Sequence, residues 1–176
     1  MPDPDGLERL WAPYRMAYVR EAGTDAGHDD GCPFCAMVAG ERQTDLIVVR
    51  GEHCFVAMNL YPYNPGHLMV LPNRHESGLT ELTLEESTEL TLLTQQAIRA
   101  IGEVSSPHGY NVGLNLGASA GGSISQHLHQ HVVPRWGGDA NFMTVVGRTK
   151  TLPQTIAESA ELLRAAWPQS TSEQVT

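Results

Sequence analysis

Ser123-Ile124-Ser125-Gln126-His127-Leu128-His129-Gln130-His131-Val132-Val133-Pro134 places a histidine at every second position three times over. Side chains on an extended strand point alternately to opposite faces. His127, His129 and His131 are therefore expected on one face with Val133, and Leu128, Gln130 and Val132 on the other. The chain has eight histidines in 176 residues, so three in register constrain both the fold and the chemistry. A polar strand open to solvent would accommodate the histidines. Val132, Val133 and the closing Pro134 point instead to a strand that enters a core and stops at its edge. A metal-binding tract is the other reading, and the cysteines keep it open.

Cys32-Pro33-Phe34-Cys35 has the C-x2-C spacing in which two thiolates reach one tetrahedral ion. A redox pair or two ordinary buried cysteines share that spacing. Zinc needs further ligands, and His75 is an available third. Cys54 falls within an apolar strand pattern and is expected in the core. Three cysteines in a chain of this type do not make a disulfide framework.

Asp45 to Val49, His53 to Met58 and His67 to Leu71 read as strands, being rich in β-branched and apolar residues. Asn59-Leu60-Tyr61-Pro62-Tyr63-Asn64-Pro65-Gly66 is a turn-rich connection. Asn59 fits a turn residue bonded to its own backbone, and His67 fits a support for the fold. Thr83-Leu84-Glu85-Glu86 is a capping box, with Leu90, Leu93, Ala97 and Ile101 at helical spacing beyond it. One long helix over 83 to about 103 follows, and its acidic first turn suits the helix dipole. Tyr110 to Asn115 is the next strand, leading through a glycine-rich loop into the histidine strand. Residues 154 to 167 form a weaker helix. Trp11, Tyr14 and Tyr18 suggest that residues 1–30 are an arm packed on the domain or on a partner, and residues 169–176 a frayed tail.

A chain of this length fits one domain with a full core. The formal charge of −9 argues against general nucleic-acid binding, which needs a basic face. No run approaches the ~20 apolar residues of a membrane span. The opening Met1-Pro2-Asp3-Pro4-Asp5 lacks the pattern of a signal peptide. A cytoplasmic protein acting on a phosphate-bearing small molecule remains open.

His-x-His-x-His followed by two apolar residues, approached through Gly117-Ala118-Ser119-Ala120-Gly121-Gly122-Ser123, resembles the histidine triad (HIT) family of nucleotide hydrolases and transferases. The likeness spans about residues 31 to 136. It implies an α+β, HIT-like fold: a mainly antiparallel sheet with one long helix packed on it, plus the N-terminal arm and C-terminal helix. The domain would run over 31–168. It also implies that His129 is the nucleophile, flanked by His131 on the phosphate or ribose side and by His127. Asn59 would bind the ribose. Asn115, Gly121, Gly122 and Ser123 would bind phosphate. Structural Zn2+ would sit on Cys32, Cys35, His75 and His127. A homodimer or dimer of dimers is expected by analogy.

One position departs from the common pattern of the small hydrolases: Ser123 stands four residues before the first triad histidine, where they carry Gln. The shorter side chain leaves room for inorganic phosphate as the second nucleophile, although a tolerated substitution in a hydrolase explains it equally. With the Leu10-Trp11-x-Pro13-x-Arg15-x-x-Tyr18 pattern and Val132-Val133-Pro134-Arg135-Trp136, it makes the chain similar to the actinobacterial diadenosine tetraphosphate phosphorylase branch. The expected substrates are then a dinucleoside polyphosphate and phosphate, giving ADP and ATP. The alternatives are a dinucleoside polyphosphate hydrolase, a nucleoside phosphoramidase, or a nucleotide-binding regulatory module.

Overall fold

A computed structural model describes residues 31–120, 124–139, 146 and 152–168. By its internal contacts the chain divides into Met1–Gly31 and Cys32–Thr176, and the second unit is the one described below. The expected arm over 1–30 and tail over 169–176 lie outside the described residues, as do Gly121, Gly122 and Ser123.

The unit begins with a short helix α1 (Pro33–Val38), with Pro33 in its first turn, where a missing N–H costs nothing. Three strands follow: β1 (Ile47–Arg50), β2 (Cys54–Met58) and β3 (Leu68–Pro72). Then come the long helix α2 (Leu84–Ser105), β4 (Gly109–Leu114), β5 (Gln130–Arg135) and a C-terminal helix α3 (Ile156–Ala165). The strands form one antiparallel sheet in the order β1-β2-β3-β5-β4. This is the α+β architecture expected, with strand limits within three residues of those read from the pattern.

Every residue of β2 and β3 is buried, Cys54 included, which marks them as the middle of the core. Helix α2 covers them with Leu90, Leu93, Ala97 and Ile101, the face anticipated from spacing. Burying each Leu or Ile there contributes about 1.5–3 kcal/mol. Its start is fixed reciprocally. Thr83 Oγ1 accepts from the Glu86 N–H at 3.2 Å, and the Glu86 carboxylate accepts from the Thr83 N–H at 2.8 Å. Glu86 is buried, which a lone carboxylate would resist. Two guanidinium N–H groups of Arg74, each 3.0 Å away, answer that charge and hold its carboxyl below the usual range. Helix α3 opens on a second capping box, Thr155 with Glu158, and buries Ala160 and Leu163.

The β1–β2 turn is tied to α2 by Glu89, whose carboxylate accepts the backbone N–H groups of Glu52, His53 and Cys54 at 2.9, 2.5 and 2.6 Å. Gly51 makes this possible. A Cβ there would run into that carboxylate and lie 2.8 Å from the Cys54 carbonyl oxygen, and neither backbone nor anchored acid can retreat cheaply. Gly51→Ala is therefore expected to lower stability by roughly 1–3 kcal/mol, the usual cost of overpacking. Urea unfolding checks it: the midpoint should fall with the slope unchanged.

Candidate active site

The histidines do not share one strand face as the alternation predicts. β5 begins only at Gln130, and residues 125–127 form a turn, so His127 and His129 precede the ladder. The Leu128 N–H donates to the Glu76 carbonyl at 2.6 Å, pulling this stretch toward the 73–78 loop. Three imidazoles with three different surroundings result.

His129 is buried. Its Nδ1 lies 2.8 Å from the carbonyl oxygen of His127. A carbonyl can only accept, so Nδ1 carries the proton and Nε2 holds a free lone pair. Burial pushes the pKa down, against the opposing pull of that carbonyl, and keeps the ring neutral. Phe34 packs on it with centroids 5.4 Å apart, and His131 meets it edge to face at 5.0 Å. A neutral, oriented imidazole with an unprotonated nitrogen is what a nitrogen nucleophile needs.

His131 lies on β5, directly across from Met69 of β3. Sequence reasoning gave His67 only a supporting part, yet its Nε2 is 3.0 Å from His131 Nδ1. The Tyr63 N–H donates to His67 Nδ1 at 3.0 Å, which places the His67 proton on Nε2, facing His131. The remaining proton of His131 then sits on its Nε2, 3.4 Å from the Asn115 side-chain amide, whose oxygen rather than its nitrogen is the end able to accept it. Burial, with a smaller contribution from His129, pushes His131 down to about 4, so it acts as a neutral donor. Alternation from Met69 back to His67 would have put both on the His131 face, but only once the β3–β5 register was known.

His127 turns the other way. Its Nε2 donates to the Pro72 carbonyl at 2.9 Å, leaving Nδ1 free beside Cys32 Sγ at 3.4 Å and Cys35 Sγ at 3.6 Å. His75 Nδ1 is 3.2 Å from Cys35 Sγ. One donor atom from each of Cys32, Cys35, His75 and His127 lies within 4.8 Å of the others. Burial and the neighbouring Cys32 push the Cys35 thiol up to about 11, so paired thiolates there require a compensating cation. Two soft sulfurs, two imidazoles and a carbonyl fixing one tautomer suit a tetrahedral zinc-type ion.

Asn115 follows β4 and reaches the histidines through His131. Asn59 Oδ1 accepts the Tyr61 N–H at 3.0 Å, the self-bonded turn that its sequence context allows, and its amide nitrogen lies 3.3 Å from His67 Nδ1. Gly121, Gly122 and Ser123 lie outside the described residues.

The family model described as the HIT domain matches residues 41–138. A protein of Mycobacterium tuberculosis named AP-4-A phosphorylase is 52% identical over 167 residues, covering 93% of this chain and 86% of its own. A solved Zn-bound histidine triad family protein from Mycobacterium smegmatis superposes with a TM-score of 0.65 at 30% identity, over 77% of this chain and 92% of that one. A solved HIT family member from Bacillus subtilis gives a TM-score of 0.58 at 30% identity, over 62% and 76% of the two chains.

Proposed function

The chain belongs to the HIT family, and from that premise we propose that it cleaves diadenosine tetraphosphate with inorganic phosphate, releasing ATP and ADP. The observation that carries the choice of reaction is the 52% identity, over almost the whole chain, with a protein named AP-4-A phosphorylase. His129 Nε2 attacks the phosphorus of one terminal AMP unit, forming an N–P bond while the P–O bond to the other half breaks and ATP leaves. Phosphate oxygen then attacks the same phosphorus, the N–P bond breaks, and ADP departs with His129 restored. Each displacement shifts charge onto the phosphoryl oxygens. Asn115, the His131 Nε2–H and the residues Gly121, Gly122 and Ser123 are the donors assigned to that charge. Asn59 is assigned to the ribose. The His127 carbonyl, which holds the His129 tautomer, acts through position alone.

Zinc on Cys32, Cys35, His75 and His127 is the metal this reading assigns, and its contribution is to fasten α1 to the residues flanking β3 and β5. Residues 31–168 form the domain, working in the cytoplasm as a homodimer or dimer of dimers. β4, an edge strand with Val112 exposed, offers a pairing edge.

The test is nucleotide product analysis with and without phosphate. ATP and ADP should appear only when phosphate is supplied. AMP formed regardless of phosphate would make the enzyme a hydrolase and Ser123 a tolerated substitution. In the same assay Ser123→Gln should weaken phosphate use and let water compete, and Ser123→Ala should raise the phosphate concentration needed for half-maximal rate.

A further inference from the structure

Beyond His131 the open face of the sheet carries a cleft of about 430 Å3, within the ~300–1,000 Å3 typical of small-molecule sites. Its floor is β4 and β5. Gly113 pairs with His131 and Asn111 pairs with Val133, and Arg135 lies farther along the same face of β5. Arg135 lies four steps of strand beyond His131, a run of roughly 13 Å. Asn115 stands at the His131 end, and Tyr63 and Asn64 overhang one side. Asn59, the candidate ribose ligand, follows β2 instead, and β3 separates that strand from β5.

The two ends of the cleft differ in chemistry. At the near end, His131 and Asn115 present donors. At the far end the Arg135 guanidinium is matched by Asp139 through contacts of 2.6 and 3.0 Å and bonded to Asn111 Oδ1 at 2.7 Å. Buried Asn64 locks the arrangement, donating to Asp139 at 2.7 Å and to the Pro134 carbonyl at 2.8 Å. One positive and one negative charge cancel there. A run of phosphates, which needs uncompensated cations, is poorly served by that end. A flat group with apolar faces and hydrogen-bonding edges is well served by Val133, the half-exposed Tyr63 ring and the amides around them. At Gly113 a Cβ would meet nothing within 4 Å, so the floor stays open beside His131.

We propose that this cleft seats the nucleoside of the departing half of the substrate, with its phosphates at His131 and Asn115 and its base toward Tyr63 and the Arg135–Asp139 pair. The proposal rests on the dinucleotide reading above and assigns the contacts of the second nucleotide.

Gly113→Val tests it by filling the floor with a β-branched residue that a strand accepts. In a His129→Ala background, which cannot turn over, calorimetry gives the affinities for diadenosine tetraphosphate and for AMP. The ratio of the two should fall by ~10-fold or more with Gly113→Val, on the scale of a lost pocket contact. Gly113→Ala should lower it by less in the same direction, which keeps the test decisive if the larger variant folds poorly. An unchanged or increased ratio in the folded variants overturns the proposal. On otherwise wild-type enzyme the same substitutions should lower kcat/KM for diadenosine tetraphosphate more than for adenosine 5′-tetraphosphate, which lacks the second nucleoside. Equal losses on both would place the cleft outside recognition. Neither comparison depends on whether water or phosphate is the acceptor, so a failed phosphorylase reading shows in the products while the cleft is judged separately.

Discussion

Replacing His129 by alanine should reduce phosphorolysis of diadenosine tetraphosphate by ~10⁴-fold or more, as expected when a covalent route loses its nucleophile. The geometry makes the loss specific. His129 Nδ1 is committed to the His127 carbonyl, so the reactive lone pair is on Nε2 and nowhere else on the ring. His131 cannot take over, because its Nδ1 receives the His67 proton and its Nε2 bears a proton of its own. His127 cannot either, since its Nε2 is spent on Pro72 and its Nδ1 faces the sulfurs. Rapid quench followed by intact mass measurement should find one AMP on the wild-type chain and none on the variant. The variant should keep its fold and its affinity for AMP. An adduct mapped to any other residue of the wild type would sink the assignment.

Metal removal is the second large effect. An ion present at ~1,000 times its dissociation constant stabilises the folded state by about 4 kcal/mol. For a chain of this size each kcal/mol moves Tm by roughly 2–4 °C, so stripping the site should lower Tm by roughly 8–16 °C. Elemental analysis of protein purified without chelator should return one zinc per chain. Cys35→Ser should reproduce the chelator's effect, and zinc occupancy should fall in acid as the thiolates protonate. His75→Ala should cost stability more than rate, because His75 packs on Cys35 and the His127 ring, on the side of the cysteines. Protein free of zinc with an unaltered Tm would refute this assignment.

What the sequence made legible is local, and what it concealed depends on register. The Thr83–Glu86 box and the Leu90, Leu93, Ala97, Ile101 stripe are cues a single helix carries within itself, and α2 follows them almost residue for residue. The C-x2-C pair and the triad are likewise readable, and with the family resemblance they let Cys32, Cys35, His75 and His127 be named together in advance. The shared face of the three histidines was not correctly readable. Strand alternation holds only inside a ladder, and the bond from Leu128 to Glu76 keeps His127 and His129 out of one. His67 was underrated for a related reason. Its role is defined by a partner 64 positions away, brought near by the pairing of Leu68 with Val132. The Glu89 anchor under the β1–β2 turn gives no sequence cue either, since an exposed-looking acid on a helix is ordinary until the turn arrives beneath it.

β5 is committed on both sides at once. Gln130 gives its amide to Thr94 of α2 at 2.6 Å and Val132 fills the core, whereas His131 and Arg135 face the cleft. Substitution and deletion are therefore very different events here. Another apolar residue at 133 changes a wall, but losing or gaining one residue between His129 and Arg135 rotates every later side chain to the opposite face. An imidazole would then be driven into the helix interface, and a core valine would take its place on the cleft face. Descendants of this chain are free to vary what stands at several of these positions. They are not free to vary how many positions there are.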